Sequence, residues 1–218
     1  MVIDMAFVGM EKGVHEDFAP FRSLSRLQGR MPWFFAVSYS KCFALYNERI
    51  GSLSVIASGE DAASILEHMT FCARSCYSSP PSRGGKIVVT LLLDSELSLQ
   101  WLREIQFIAE DIKNRRKLLV DTMASHQGLS KNQIEELTNR SSIFLDSQLR
   151  GDQIATLRES SSLYLLKSGW LNILTIPVSK MQSVARCFAD AICSPRRSLP
   201  ESYTVSALEG DSQESISG

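Results

Sequence analysis

A lysine and an arginine stand at the ends of two predicted strands, where side chains can do chemistry on a bound ligand. Lys41 follows the apolar run of residues 34–38, and Arg49 precedes the apolar run of residues 52–56. A lysine directly after a buried strand points into the crevice where α/β sheets hold their ligands. Partial loss of water there brings the amine toward usable nucleophilicity and suits it to Schiff-base chemistry with a carbonyl group.

Hydroxyl side chains accompany these two cations. Ser38 and Ser40 lie beside Lys41 in the sequence. Their hydroxyl groups and the Arg49 guanidinium would together make a phosphate cradle. A reactive amine next to phosphate-binding groups predicts a phosphorylated carbonyl cofactor.

The same segment is specific enough to indicate a family. Residues 38–56, SYSKCFALYNERIGSLSVI, resemble the lysine segment of class I aminotransferases, the aspartate and aromatic amino-acid branch of the pyridoxal 5'-phosphate (PLP) enzymes. Residues 4–7 (DMAF) resemble the strand that carries the family's cofactor-binding aspartate. Residues 74–81 (RSCYSSPP) resemble the loop before the small domain, and residues 154–173 resemble the C-terminal substrate-binding strand.

The resemblance implies PLP as cofactor and a set of residues that bind it. Lys41 would hold PLP and then move the α-proton of the incoming amino acid. Asp4 would keep the pyridine nitrogen protonated, so that the ring withdraws electrons from the substrate. Ser38 and Arg49 would bind the phosphate, with Ser40 as a weaker candidate.

The resemblance also implies a substrate class and an assembly. Arg74 would reach into the site of a partner subunit and pair with the side chain of a dicarboxylate, so a homodimer is implied. The implied activity is PLP-dependent transamination of an aspartate-like or aromatic amino acid with a 2-oxo acid, a reaction of amino-acid metabolism.

Two positions depart from the family's pattern. Phe7 stands where the family has a tyrosine whose hydroxyl bonds the cofactor's phenolic oxygen, so this chain keeps the ring and lacks the bond. Trp170 stands where the family has the arginine that clamps the substrate's α-carboxylate. A charge-assisted pair of that kind is worth about 1.5–3 kcal/mol in binding, and tryptophan cannot supply it.

The family's chain is also much longer, and its N-terminal half contributes further cofactor contacts and much of the central sheet. Three interpretations therefore stay open. The chain is an active aminotransferase or the C-terminal portion of one. It is a truncated, non-catalytic remnant, which binds PLP, dimerises or needs a separate N-terminal half. Or it is a PLP enzyme whose substrate has no α-carboxylate.

Composition excludes several classes of protein. The chain has 218 residues, 44% of them apolar, and a formal net charge of −1, so it has no basic footprint for nucleic acid. Its apolar runs fall short of the roughly 18 residues that a membrane helix needs, and we expect a cytoplasmic protein without a membrane partner. The five cysteines are odd in number and scattered, as expected of reduced intracellular thiols.

No motif indicates a metal site. Cys72 and Cys76 are close in sequence, yet no second Cys or His pair stands at ligand spacing and His68 is isolated. His15 and His126 are interpreted as exposed loop residues without a role.

The element pattern predicts an α/β protein, because continuous apolar strands favour a sheet buried on both faces. The resemblance makes it the C-terminal part of a fold-type I PLP-dependent transferase. That implies a partial mixed, mostly parallel sheet with helices, plus a smaller α+β domain. Strands are predicted at residues 2–8, 34–38, 52–56, 143–145, 163–166 and 171–176. Helices are predicted at residues 60–72, 98–123, 130–137, 151–159 and 178–192, and residues 86–93 suit either a strand or a buried helix.

Prolines and glycines in residues 78–85 break regular structure and predict a domain hinge. We expect the C-terminal part of the PLP-binding large domain in residues 1–85. Residues 86–193 would form a long connecting helix and the C-terminal small domain, and residues 194–218 would form a loose tail.

Overall fold

The computed structural model describes residues 1–26, 32–57, 59–138 and 143–195. Contacts divide the chain into two compact units, Met1–Asp111 and Ile112–Gly218, and the division falls inside one long helix. The domain limits expected from the sequence stay predictions. Residues 196–218 of the expected tail lie outside the described residues.

The first unit contains a three-stranded sheet and several helices. Its elements are β1 (Val2–Met5), α1 (Val14–Asp17), α2 (Ala19–Ser25), β2 (Trp33–Ser38), α3 (Tyr39–Cys42), β3 (Gly51–Ile56), α4 (Gly59–Tyr77) and α5 (Ser82–Leu93), followed by the long α6 (Ser95–Ala124), which continues into the second unit. The alternative of a strand at residues 86–93 is settled in favour of a helix, since they lie in α5. None of the described helices is both long enough and apolar enough to cross a membrane.

The sheet has the strand order β1-β2-β3. β1 runs parallel to β2, with Asp4 level with Ala36, and β3 runs antiparallel to β2, with Gly51 level with Ser38. The C-terminal ends of β1 and β2 therefore lie at the same end of the sheet as the beginning of β3. This mixed sheet brings together three segments that are distant in sequence.

One face of this sheet carries the core of the first unit. Phe35 is fully buried, and its ring meets that of Phe21 of α2 edge to face at a centroid distance of 4.8 Å. Val37 is also buried, whereas Phe34 and Ala36 on the other face of β2 are only partly buried. In the described residues the face that α2 covers is therefore more deeply buried than the opposite face.

The chain leaves β1 at Met5, earlier than the predicted residue 8, because a tight loop follows. The carboxylate of Asp17 accepts hydrogen bonds from three backbone N–H groups of this loop, those of Gly9 (2.8 Å), Lys12 (3.1 Å) and Glu11 (3.2 Å). Gly9 has a φ of 84°, and a Cβ at this position would lie 2.5 Å from a side chain of α6. Glycine is therefore required at this turn.

We expect Asp17→Ala to lower the free energy of unfolding by about 1–3 kcal/mol, because three N–H groups lose their charged acceptor. Urea unfolding followed by circular dichroism measures the change. The exposed Glu16 of the same helix offers a matched control, and Glu16→Ala is expected to stay within about 0.5 kcal/mol of the unmodified chain. Equal effects of the two substitutions would contradict the role of Asp17 in holding the loop.

The second unit is an α+β arrangement around a larger core. After the end of α6 its elements are α7 (Lys131–Thr138), β4 (Phe144–Asp146), α8 (Gly151–Ser161), β5 (Trp170–Asn172), two short 3₁₀ helices (Ile173–Thr175 and Val178–Lys180) and α9 (Met181–Cys193). β4 and β5 pair antiparallel. The most deeply buried side chains are those of Leu119, Ile173, Met181, Ala185, Phe188 and Ala189.

The prediction of a strand at residues 163–166 is wrong. α8 is followed by Ser162 in the left-handed conformation (φ 52°), and the Leu163 N–H donates to the Leu157 carbonyl at 3.2 Å. Leu165 is buried while its neighbours Tyr164 and Leu166 are exposed, so the apolar residues pack without pairing to a strand.

The strand predicted at residues 171–176 is shorter than expected. β5 ends at Asn172, whose side-chain oxygen accepts the Leu174 N–H at 3.0 Å and starts a 3₁₀ turn. A local hydrogen bond from the backbone to the Asn172 side chain thus replaces the inter-strand hydrogen bonds that would have continued the strand.

Candidate functional site

An open pocket of about 380 Å³ lies at the end of the first unit's sheet where β1 and β2 finish and β3 begins. Its polar lining comes from Asp4, Ser38, Ser40 and Arg49, and Ile50 and Gly51 are among its other lining residues. The pocket therefore brings together four of the residues predicted from sequence, and it places one carboxylate and one guanidinium in the same concavity.

The strand register explains why Asp4 and Ser38 converge. Asp4 lies on β1 beside Ala36 of the parallel strand β2, and Ser38 is the last residue of β2. Ser38 also caps the short helix α3, since its Oγ accepts the Ser40 N–H at 3.3 Å. Ser40 is buried and Asp4 is exposed, so the pocket has one protected side and one open to water.

Lys41 lies in α3, directly after the strand, as the sequence predicts. Its Nζ stands 4.9 Å from the centre of the Phe7 ring, a cation–π contact that holds the amine over an apolar surface. Both side chains are half-buried. Phe7 thus supports the lysine in this chain, although it lacks a hydroxyl group.

Three contacts that the sequence did not predict hold the lysine segment in place. The indole N–H of Trp101 on α6 donates to the Cys42 carbonyl at 2.7 Å, and its ring stacks on that of Phe43 at a centroid distance of 4.5 Å. On the other side, the hydroxyls of Tyr39 and Ser52 bond at 2.8 Å. A tryptophan at a core-facing helical position needs an acceptor for its N–H, and that need is the signal that could have found this contact.

Arg49 is held by its backbone rather than by burial. It is an exposed residue with a φ of 50°, a left-handed conformation that few residues with a Cβ adopt, and its Nη1 donates to the Tyr46 carbonyl at 3.3 Å. Gly51, two residues on, lies so close to β2 that a Cβ would stand 2.7 Å from the Val37 carbonyl oxygen. This close approach sets where Arg49 enters the pocket.

The residue next to the lysine contributes no charge at neutral pH. Burial raises the pKa of the Cys42 thiol to about 11. The thiol is therefore protonated at neutral pH, and its Sγ donates to the Ser38 carbonyl at 3.6 Å.

Four residues discussed in the sequence do not line this pocket, namely Lys41, Phe7, Arg74 and Trp170. Arg74 is exposed in the last turn of α4. Trp170 belongs to the second unit, where it lies on β5 with its ring edge to face with Phe144 at 6.1 Å and 40% of its surface exposed. Among the residues that the structure describes, no three His, Cys, Asp or Glu side chains are grouped to hold a metal ion.

Comparison with known proteins relates this arrangement to a family. The sequence profile of the family described as "Aminotransferase class I and II" matches residues 1–186. The chain belongs to this family. Tyrosine aminotransferase of Klebsiella pneumoniae is 32% identical to this chain over 187 residues. The matched region makes up 85% of this chain and 46% of the relative.

Solved structures agree with that assignment. An aromatic amino acid aminotransferase from Burkholderia cenocepacia matches the chain with a TM-score of 0.80 at 29% identity, covering 88% of this chain and 46% of its own. An aromatic-amino-acid aminotransferase from Burkholderia pseudomallei, covalently bound to pyridoxal phosphate, matches with a TM-score of 0.78 at 28% identity, covering 87% and 47%. The predicted family and fold class are confirmed. The chain spans about half the length of the relatives that it matches.

Proposed function

We propose that this chain carries out PLP-dependent transamination between an aspartate-like or aromatic amino acid and a 2-oxo acid, as the lysine-bearing part of an aminotransferase. One observation carries the proposal. Lys41 follows β2 at the end of the sheet where Asp4, Ser38 and Arg49 line a single pocket. Family membership adds support, since the relatives named above are aminotransferases.

The side chains around the pocket fit the chemical groups of PLP. Arg49, Ser38 and Ser40 offer a guanidinium and two hydroxyl groups, which are donors that suit a phosphate. Asp4 offers a carboxylate for the protonated ring nitrogen, and Lys41 offers a primary amine for the aldehyde carbon. The first unit therefore holds donors and acceptors that suit the phosphate, the ring nitrogen and the aldehyde of the cofactor.

When bound, PLP supplies an electron-withdrawing ring that acidifies the α-proton of an amino acid. Asp4 would strengthen this effect by keeping a proton on the ring nitrogen. Arg49 and the two serines would anchor the phosphate and so fix the orientation of the ring. Lys41 would bind the cofactor and, once displaced by the substrate's amine, would accept the proton from the substrate's Cα at Nζ. The Phe7 ring beneath that amine would keep it in reach of the cofactor's aldehyde carbon and of the substrate's Cα.

The substrate class rests on Arg74. In the family the residue at this position pairs with a substrate side chain in the partner subunit's site, so Arg74 supports a homodimer and an aspartate-like or aromatic substrate. Its exposed position on α4 leaves the guanidinium accessible for such a role. A cytoplasmic location and the division at residues 1–85, 86–193 and 194–218 belong to the same proposal.

A second function is favoured by two observations. Trp170 lacks the charge needed to clamp an α-carboxylate, and the chain spans about half of its relatives. On this alternative the chain is a non-catalytic PLP-binding or dimerisation module, or it is a fragment that requires a separate N-terminal half.

A single half-reaction tests the two functions. The full chain is incubated with PLP, aspartate or tyrosine is added, and the conversion of PLP to pyridoxamine phosphate is measured by chromatography against the same mixture without protein. Conversion above that background is expected with one of the two amino acids. PLP that binds without conversion would select the non-catalytic PLP-binding module. Absence of PLP binding would contradict transamination by this chain and leave a dimerisation module or a fragment that requires a separate N-terminal half.

A further inference from the structure

A cysteine, a histidine and an aspartate form a linear cluster in the second unit, away from the pocket just described. His126 lies in the loop after α6, and its Nε2 stands 2.9 Å from Asp190 Oδ1. On the opposite side of the imidazole, Nδ1 stands 3.9 Å from the Cys193 Sγ. Asp190 and Cys193 are three residues apart on α9, so they share one face of that helix.

The hydrogen bonds assign the roles of the two ring nitrogens. The backbone N–H of Gly128 donates to His126 Nδ1 at 3.2 Å, so this nitrogen carries a lone pair. Nε2 is then the protonated nitrogen and donates to Asp190, which fixes the ring orientation. The Cys193 Sγ lies 3.9 Å from the same nitrogen, so the lone pair that accepts the Gly128 N–H is also within reach of the thiol proton.

Gly128 allows the thiol to come close to this loop. A Cβ at position 128 would lie 2.5 Å from the Cys193 Sγ, so any larger residue would push the sulfur away from the imidazole. Cys193 is itself exposed, and the His126 side chain keeps 29% of its surface accessible. A small molecule can therefore reach the sulfur while the base stays in place.

We propose that Cys193 is a reactive thiol that exchanges with low-molecular-weight disulfides, with His126 as its base and Asp190 as a positioning residue. His126 Nδ1 takes the thiol proton, and the Cys193 Sγ attacks one sulfur of the disulfide. A new S–S bond forms as the old one breaks, and the leaving thiolate takes the proton from Nδ1. Cys193 is oxidised to a mixed disulfide and the departing sulfur is reduced to a thiol.

The cluster does not suit a metal ion. Asp190 and Cys193 contact opposite nitrogens of the same ring, so one cation cannot bind both of them together with the imidazole. This agrees with the absence of a metal-binding group among the described residues. Proton transfer to a base is the chemistry that the linear order supports.

Cys76 is an internal control for the effect of the histidine. It is exposed and lies one residue before the end of α4, as Cys193 lies at the end of α9. Both thiols therefore lie at the C-terminal end of a helix. Only Cys193 has a histidine contact among the described residues, so higher reactivity at Cys193 reports on His126.

The test treats the full chain at neutral pH with bis(2-hydroxyethyl) disulfide, an uncharged probe, and follows each cysteine by peptide mass spectrometry. Cys193 is expected to react on the order of tenfold faster than Cys76. His126→Gln is expected to reduce the rate at Cys193 to that at Cys76, with no change at Cys76. Asp190→Asn is expected to slow Cys193 as well, and Asp190→Glu, which restores a carboxylate, to recover much of the rate.

Equal rates at Cys193 and Cys76 in the unmodified chain would overturn the proposal. An unchanged or increased rate at Cys193 in His126→Gln would do the same, because loss of a base must slow the reaction. The denatured chain serves as a reference in which both cysteines should react equally. The probe reacts at cysteines alone, so these outcomes do not depend on whether the chain binds PLP or transfers amino groups.

Discussion

Replacing Lys41 with alanine is expected to abolish the covalent attachment of PLP to this chain. Lys41 lies in α3 directly after β2, and its amine is held over the Phe7 ring at 4.9 Å. Borohydride reduction makes the attachment permanent, and peptide mass spectrometry then identifies the modified lysine. We expect label at Lys41 in the unmodified chain and none at this site in Lys41→Ala.

Two further variants test whether the attachment depends on the amine of Lys41, and not merely on its positive charge or on any lysine of the first unit. Lys41→Arg keeps a cation over Phe7 and has a guanidinium that does not act as a nucleophile at neutral pH, so it should also show no label. Lys86→Ala removes an exposed lysine of α5 in the same unit and should leave the labelling of Lys41 unchanged. Equal labelling of Lys41 and Lys86 in the unmodified chain would contradict a dedicated cofactor lysine.

Phe188→Ala is expected to destabilise the second unit by about 3–5 kcal/mol, because a fully buried aromatic side chain is removed and leaves a cavity. The Phe188 ring has no exposed surface and belongs to the same buried cluster as Leu119, Ile173 and Met181. Hydrogen exchange of the α9 amides reports on this unit alone. The loss corresponds to exchange that is faster by roughly two to three and a half orders of magnitude.

Arg186 provides the matched control on the same helix, since its side chain is exposed. Arg186→Ala is expected to change the stability of α9 by no more than about 0.5 kcal/mol. A loss below about 1 kcal/mol in Phe188→Ala would mean that the cluster around Phe188 does not hold α9 in the unit.

The predicted helices and strands that the structure confirms are those indicated by local sequence patterns. The strands at Trp33–Ser38 and Gly51–Ile56 and the long helix Ser95–Ala124 match their predicted positions to within a few residues. A run of apolar residues or a 3.6-residue period is sufficient for such elements. The predicted strand at residues 163–166 failed because the same alternation of buried and exposed residues occurs in an irregular segment that packs against the core.

The site residues likewise include some whose proximity the sequence predicts and others that only strand pairing brings together. Ser38, Ser40 and Lys41 are neighbours in one short segment, so their proximity follows from the sequence alone. Asp4 and Arg49 reach the same pocket through the parallel pairing of β1 with β2 and the antiparallel pairing of β3. Their roles toward the cofactor stay predictions that the Lys41 experiments and the half-reaction address.

By itself, the sequence determined the family, the segment that carries the lysine and most of the helices and strands. Each of these features is a pattern of residues that are close together in the sequence. Only the tertiary structure decided which groups support that segment and which form a second cluster. Trp101 bonds the Cys42 carbonyl across 59 residues, and His126 meets Asp190 across 64. Such contacts depend on how helices and loops pack together, and no local spacing encodes them.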